Sequence, residues 1–537
     1  MAYFSTRKLF LTPSFDLPEE EVGIFDKYYI FLEKSGVSEI IKKYENNTTS
    51  VGGRPNVNYY NLFAVILYGF AYGRETLREI EEACQYDIRF ISIMEEIRPS
   101  YTTISNFINK VIVPNEEEIF GAINKQIMKE LNIDIADVFI DGTKFEANAN
   151  KYKFVWKPIR YHEKITGTFF KLLSDNKICQ DFHKETLVKS STIALSIDRL
   201  FTLKGTFDEE KYLNLRKTLE ALLLKVIEYE EKEEICGPNR KSYYKTDHDA
   251  TAMALKADYY SGLGSTMHAA YNTQIAVSKG LVLAYYISQA RTDITEFTHI
   301  MDKFKRIYET CPKNVCADAG YGSLVNYRYL KENGIGNYVK YQLWEGNVSG
   351  SNPECYRLND DNSITCLNGN IGNKISIPYR HPKKADGAFF NIEGCNECSY
   401  TSYCKKNQKV QDENFKIFEV SIEFQREKQK AEANLLSKKG IELRVNRSIQ
   451  VEGVFGITKQ NKGYTRTRRR GLTKVSTEMM LTFLGLNIKK LFDYYKTNKQ
   501  PKFWVAPEDL EPESFRKPSA KRLSKKGIKI NNKIYKN

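Results

Sequence analysis

From Tyr59 to about Leu131, apolar residues return every three or four positions, the spacing that gathers them on one face of a helix. Four helices are expected there: NLFAVILYGFAYG, ETLREIEEACQ, a segment around Asp87–Met94, and SYTTISNFINKVI, whose Ser/Thr-rich start suits an N-cap. An earlier helix is expected to begin at Leu17-Pro18-Glu19-Glu20. A polar, Gly/Pro-bearing linker, NNTTSVGGRPNV, follows over 46–57. The pattern then changes. Val138, Phe139 and Ile140 form a short apolar run that reads as a buried strand, delivers Asp141, and breaks at Gly142.

Downstream, residues 160–203 carry mixed helical signals, and 208–234 is a plain amphipathic helix with dense i,i+4 charge pairs. His268–Gln289 predicts a β-hairpin turning at Ser278-Lys279-Gly280. Then come a helix over about 294–310, a second Asp-terminated strand in NVCADAGYG (Asp318), a helix over 323–333 and a strand over Gly336–Tyr341. Strand, two hairpin strands, helix, strand, helix, strand is a mixed α/β order. With acids closing the first and fourth strands, it fits a ribonuclease-H-like core.

A carboxylate at the end of a buried strand is costly unless it is paired or metal-bound. A capped or salt-bridged Asp would explain either one alone, but two such strand ends favour a shared metal. A two-metal site needs a third acid, because each Mg²⁺ takes carboxylate oxygens while keeping waters and substrate phosphate. Glu452, in RVNRSIQVEGVFGITKQNKGYTRTRRRG, is the candidate, on a helix expected from about Ile449. Lys459, seven residues on, falls on nearly the same face and can meet a neighbouring phosphate. Lys462, Arg466, Arg468, Arg469, Arg470 and Lys474 follow as a basic cluster suited to a phosphate backbone. In the N-terminal helical unit, Ser105, Asn106, Asn109 and Lys110 are the outward positions of a short helix of the helix-turn-helix recognition kind. A packing or dimerisation module fits that pattern equally well.

At 537 residues the chain has room for two to four domains, and 41% hydrophobic and 13% aromatic content suffices for their cores. Its net charge of +14 and pI of about 9.0 point to an anionic partner, nucleic acid before others, although a chain rich in Lys, Asn and Ile through genomic base composition gives the same sign. No secretory leader is legible, and the longest apolar stretch, Tyr59–Tyr72, is too short to span a bilayer, so a cytoplasmic, nucleoid-associated protein is expected. There the ten cysteines are thiols or metal ligands rather than disulfides. Cys395-x2-Cys398 has knuckle spacing, Cys366 and Cys404 can complete a tetrahedral Zn²⁺ site, and Cys355 is spare; free thiols are the other reading. Asp247, His248 and Asp249 are too close in the chain to converge on one ion, and a loop or helix-cap role is expected. Arg516–Asn537 has nine Lys/Arg and no acid, the composition of a disordered basic tail.

Together, DVFIDGTKFEANANKY, VCADAGYGSLVNYRYL and the Glu452-x6-Lys459 segment resemble the DDE transposases of bacterial insertion sequences, and most of all the group numbered eleven-eighty-two. GRPNVNYYNLFAVILYGFAYGRETLREIEEACQYDIRF resembles the helical N-terminal domain of InsH-type transposases; HAAYNTQIAV and RRRGLTKVSTEMMLTFLGLNIKKL add to the likeness, which runs from about residue 15 to about 495. The resemblance implies that Asp141, Asp318 and Glu452 are catalytic carboxylates holding two Mg²⁺ (or Mn²⁺) ions. It implies that Lys459 matches the last residue of the signature Tyr-x2-Arg-x3-Glu-x6-Lys. Val445 and Ser448 stand at the Tyr and Arg positions, with Arg444 and Arg447 near enough to substitute. It further implies cutting at the element's ends, joining to target DNA, and a homodimer on DNA. A nuclease that does not join, and an inactive DNA-binding relic, are the alternatives. The expected organisation is a helical DNA-binding domain (1–131), a core (132–344) with a helical insertion (160–260), a Cys-rich insertion (345–415), the second part of the core (416–500) and a basic tail (501–537).

Overall fold

The computed structural model describes residues 19–44, 57–178, 186–255, 267–383, 386–406, 413–499 and 511–527. The expected linker falls, Val57 excepted, outside the described residues. Seven α-helices open the chain: α1 (Glu19–Lys34), α2 (Val37–Lys42), α3 (Tyr59–Ala71), α4 (Leu77–Tyr86), α5 (Ile88–Ile93), α6 (Tyr101–Phe107) and α7 (Glu116–Glu130). Their starts follow from capping. Thr76 and Glu79 form a reciprocal capping box on α4, and the Ser100 hydroxyl accepts from the Thr103 N–H at the start of α6.

The central sheet holds β1 (Asp137–Glu146), β4 (Thr251–Ala254), β5 (Met267–Ser278), β6 (Leu281–Ser288), β7 (Asn314–Ala317) and β8 (Gly336–Val339); β2 (Phe154–Trp156) and β3 (Ser242–Tyr244) pair apart from it. β5 lies between β1 on one edge and β6 and β4 on the other, and β7 and β8 continue parallel to β1. The hairpin turn lies at Lys279 and Gly280, both with positive φ, the backbone that a two-residue turn needs. Two expectations are corrected here. β1 runs through Gly142 to Glu146 instead of breaking, because Gly142 pairs with Gln274 of β5. The helical insertion, α8 (Ile159–Asp175), α9 (Ser190–Thr202) and α10 (Glu209–Cys236), ends before residue 251, because β4 joins the central sheet.

α11 (Glu296–Tyr308) packs on β6, and α12 (Leu324–Glu332) leads into β8. A five-stranded antiparallel sheet, β9 (Tyr356–Leu358) to β13 (Phe415–Ser421), forms the Cys-rich unit with its own small apolar core. Then α13 (Ile422–Leu436), α14 (Lys438–Gly456) and α15 (Leu472–Thr497) return to the sheet, and α16 (Ala520–Gly527) follows. The tail is therefore not without structure over 520–527: Leu523 is buried among Tyr400 and Tyr403 of the Cys-rich unit.

The N-terminal helices do not stand apart. One apolar core runs from Ile24 to Phe492 and takes in α1–α7, the central sheet and α15. α15 lies along α3 so closely that a Cβ at Gly485 would stand 2.6 Å from the Phe70 carbonyl oxygen. Asn487 ties three layers together: its amide nitrogen donates to Asn124 Oδ1 and to the Val282 carbonyl (2.8 Å each), and its oxygen accepts from the Val282 N–H. Asp247 and Asp249 accept from the N–H groups of Gly471 and Leu472 at the start of α15, which decides for a cap between the loop and helix-cap roles expected of them.

Candidate active site

β1 and β7 are parallel and in register, Ile140 opposite Ala317, so Asp141, within β1, and Asp318, just past the end of β7, lie side by side. The backbone N–H of Gly142 donates to Asp141 Oδ1 at 2.8 Å. Arg447, from the buried side of α14, reaches between the two acids. Its Nη1 donates to Asp141 Oδ2 at 3.0 Å, and its Nη2 stands 3.6 Å from Asp318 Oδ1. Burial raises the Asp141 pKa above the usual carboxylate range. Arg447 and the Gly142 N–H pull it down again, while Asp318 adds to the rise.

Beneath this pair lies a polar network that sequence reasoning missed. Tyr321, in the turn just after Asp318, donates its hydroxyl to Gln274 Oε1. Gln274 Nε2 in turn donates to Asp293 Oδ1 (2.8 Å) and to Asn272 Oδ1 (3.0 Å), and Asn272 Nδ2 donates to Asp293 Oδ1 (2.9 Å). Burial, then the charges of Asp141 and Asp293, keep the Tyr321 hydroxyl far above its ordinary pKa, so it stays a donor. A Cβ on Gly142 would stand 2.4 Å from Gln274 Nε2 and 2.9 Å from Asp293 Oδ1, which is why a glycine follows Asp141. The only sequence signal was polar Asn272 and Gln274 inside an apolar strand.

Glu452 is on α14 with Arg447, but on its exposed side, where its Oε1 accepts from the Ser448 hydroxyl at 3.0 Å. α14 begins at Lys438, not near Ile449. After Gly456 it widens into a π-turn (Ile457–Asn461), so Lys459 is not on a regular continuation of the Glu452 face. Lys459 Nζ instead donates to Thr143 Oγ1 (2.7 Å) and the Lys144 carbonyl (2.9 Å), fastening the π-turn to β1.

The basic cluster after Lys459 is largely engaged within the chain. Lys462 and Arg468 both pair with the buried Glu75 carboxylate of the N-terminal helical unit, at 2.9 and 3.2 Å. Arg466 and Arg470 donate to backbone carbonyls of 147–149, and Arg469 to Asn109 Oδ1 at 3.4 Å. In this arrangement they join the N-terminal unit to the core, with Arg466, Arg468 and Arg470 keeping exposed surface. Arg447, too, is turned into the acid pair rather than outward. Asn106, Asn109 and Lys110 are exposed on and just after α6, as expected.

Cys366, Cys395, Cys398 and Cys404 line one cavity of the Cys-rich unit. Cys355, the expected spare, shares a thiol hydrogen bond with Cys404, which draws the Cys355 pKa down to about 7 and raises that of Cys404. Among the described residues, no three His, Cys, Asp or Glu side chains converge tightly enough to cage a metal unaided. No helix among them is long and apolar enough to cross a membrane.

Hard carboxylate oxygens on two adjacent parallel strands, with Arg447 between them, suit a divalent cation and a phosphate ester rather than a soft metal. Comparison with known families narrows that class. A family model described as a transposase DDE domain matches residues 365–492, and one described as a transposase domain (DUF772) matches residues 29–110. No curated protein and no solved structure matches the chain. The chain is a DDE transposase of an insertion element, an enzyme of DNA transposition.

Proposed function

We propose that this transposase cuts DNA at the ends of its element and joins the freed 3′-hydroxyl ends to target DNA, with Asp141, Asp318 and Glu452 as its catalytic carboxylates. The observation that carries the reading is the meeting of Asp141 and Asp318 on one guanidinium, Arg447, supplied by the helix that also bears Glu452. The strand order supports a ribonuclease-H-like core: a three-strand antiparallel meander (β6, β5, β1) extended by two strands parallel to β1. The motifs named above favour the insertion-sequence group numbered eleven-eighty-two, with an InsH-like N-terminal unit, and a protein that works in the cytoplasm at the nucleoid.

The residues fit Mg²⁺. A guanidinium already sits where two carboxylates stabilise positive charge, and Mg²⁺ is commonly held by one or two carboxylates plus substrate phosphate rather than by a full protein cage. Asp141, Asp318 and Glu452 would hold it, and a bound ion pair supplies an acidified water and charge neutralisation at phosphorus. The protein's own contribution is placement. The network from Tyr321 to Gln274 fixes the two aspartate-bearing segments to each other, and Lys459 pins the π-turn to β1. In cleavage, a water oxygen bonds to phosphorus and gives its proton to solvent, while the 3′-oxygen leaves and takes a proton up to become the 3′-hydroxyl. In joining, that hydroxyl gives up its proton as its oxygen bonds to a target phosphorus, and the displaced target 3′-oxygen takes a proton up. Acting on two ends calls for a homodimer on double-stranded DNA. For DNA contact we retain Lys459, Arg447, Lys462, Arg466, Arg468, Arg469, Arg470, Asn106, Asn109 and Lys110 as candidates that can rearrange on the duplex.

For the Cys-rich unit we infer a structural zinc on Cys366, Cys395, Cys398 and Cys404. Support comes from their shared cavity and the preference of zinc for thiolates, not from a formed tetrahedron.

The test incubates the protein with element-end DNA and a target plasmid, with Mg²⁺ or EDTA, beside Asp141→Ala and Glu452→Ala. Metal-dependent cutting and joining, lost in both variants while DNA binding persists, is the expected result. Cutting without joining would make the protein a nuclease, and binding without either would sink the mechanism.

A further inference from the structure

Between β1 and the first turn of α8 the chain displays aromatic rings that the acidic site does not use. Tyr152 is 81% exposed, Phe154 43%, Trp156 58% and Tyr161 69%. Phe154 and Trp156 are two residues apart on β2 and so share a face. Their ring centroids are 5.5 Å apart with planes at 84°. The strand is held by β3, with Phe154 opposite Tyr244 and Trp156 opposite Ser242, so the rings stand on a fixed ribbon. A cluster of large rings in water is unfavourable unless something covers it.

The surrounding charge says what covers it. Residues 147–162 contain four Lys/Arg and no Asp or Glu. Lys153 and Arg160 are exposed, and Lys151 Nζ lies 5.2 Å from the Tyr152 ring centroid. A second copy related by a twofold axis would set these cations against themselves. A polyanion that carries flat π faces meets both features at once, and unpaired nucleic acid bases stacked on aromatic side chains beside Lys/Arg are such a ligand. The ribbon is also anchored to the site. Asn148, on the way from β1 to β2, donates to the Arg468 carbonyl at 2.8 Å and accepts from Arg470 Nε at 2.8 Å, both in the loop that follows Lys459.

We propose that Phe154 and Trp156 form a stacking platform for unpaired bases of single-stranded DNA, with Lys151, Lys153 and Arg160 meeting its phosphates. The proposal rests on the reading of the chain as an enzyme acting on DNA. Strand cutting and exchange expose unpaired nucleotides, and a platform joined to β1 can hold them.

Trp156 also reports on itself. Of the two tryptophans among the described residues, Trp344 is buried and Trp156 is exposed. The full chain is titrated with a short oligothymidylate and, separately, with a flush-ended duplex. Tryptophan emission and affinity are followed for wild type, Trp156→Phe, Trp156→Ala and Phe154→Ala/Trp156→Ala. Oligothymidylate should quench wild-type emission. Trp156→Phe should lose most of the quenching but keep binding. The alanine variants should bind oligothymidylate about tenfold or more weakly, and the flush duplex within about twofold of wild type. Unchanged melting temperatures would exclude misfolding as the cause. The proposal is overturned if the alanine variants bind oligothymidylate like wild type. It is equally overturned if the rings prove to mediate self-association, seen in light scattering as a loss of oligomer with single-strand affinity unchanged. If neither wild type nor variants bind DNA of either kind, the transposase reading itself falls, and the platform with it.

Discussion

Arg447 and Asp141 meet at 3.0 Å across the edge of the central sheet, and the same guanidinium extends to Asp318 at 3.6 Å. The Arg therefore does for the acid pair what a metal would: it offsets two carboxylates that would otherwise repel each other on adjacent strands. Burial raises the Asp141 pKa even so, which shows how much of its ionisation rests on this one partner.

Arg447→Ala should accordingly destabilise the fold by about 1–3 kcal/mol at neutral pH, the range for removing one member of a half-buried pair. The sign of the pH dependence follows from the direction of the shift. A carboxyl with a raised folded-state pKa takes stability away as pH climbs from its unfolded value through its folded one, and the loss is complete above that. Removing Arg447 raises the Asp141 pKa further. The gap in melting temperature between wild type and variant should therefore widen from about pH 4 upward and level off near neutrality. A gap that is constant with pH would show that Asp141 does not depend on Arg447. In the active enzyme the acid limb of DNA cleavage should move to higher pH in the variant.

Gly142→Ala places a methyl group on the pinned amide of Gln274, and about 1–3 kcal/mol of destabilisation is expected from the overpacking. Gln274 cannot swing aside freely, because its amide is tied to Tyr321, Asp293 and Asn272. Adding Gln274→Ala to Gly142→Ala should return part of the loss, so the double variant unfolds at a higher urea concentration than the two single effects predict together. Strict additivity would mean that the glycine is required for some other reason.

Why some of this could be read in the sequence and some could not comes down to range. The apolar runs before Asp141 and Asp318, the hairpin at Lys279-Gly280 and the Ser100 cap are local: hydrophobic pattern, turn residues and a hydroxyl fix them within a few positions. A loop or helix-cap role for Asp247 and Asp249 was legible, but not that the helix they cap is α15, far along the chain. The Asp293 network was not legible, because its members come from β5, the loop before α11 and the turn after β7, and no spacing along the chain announces such a meeting. The π-turn at Ile457–Asn461 defeated the i,i+7 argument for Glu452 and Lys459, since one wide turn rotates every later side chain. Lys462 and Arg468 read as phosphate ligands because their acid partner, Glu75, lies almost 400 positions earlier.

That partner gives a third prediction. Glu75 is 3% exposed and receives both cations, so Glu75→Ala would leave two charges in a half-buried cleft without their carboxylate. A loss of about 2–4 kcal/mol is expected, measured by urea denaturation. Glu75→Gln should recover only part of it, since the amide accepts hydrogen bonds without neutralising charge. Because one core joins the N-terminal helices to α15 and the sheet, the transition should stay a single cooperative step. Separate unfolding of the N-terminal helices would show that the Glu75 contacts, rather than the apolar packing, hold the two parts together.

The Cys-rich unit offers the last prediction. If zinc is held by Cys366, Cys395, Cys398 and Cys404, the purified protein should carry about one zinc per chain. Cys398→Ser should lose the metal and loosen β9–β13. Cys355→Ser should keep it, because Cys355 touches the group only through Cys404. A thiol titration without denaturant separates the outcomes. With zinc bound, Cys355 should be the first thiol of this unit to react, because it alone of the five is not held as a metal ligand. If all five thiols of the unit react together and no zinc is found, the cavity holds free cysteines and the structural-metal reading fails.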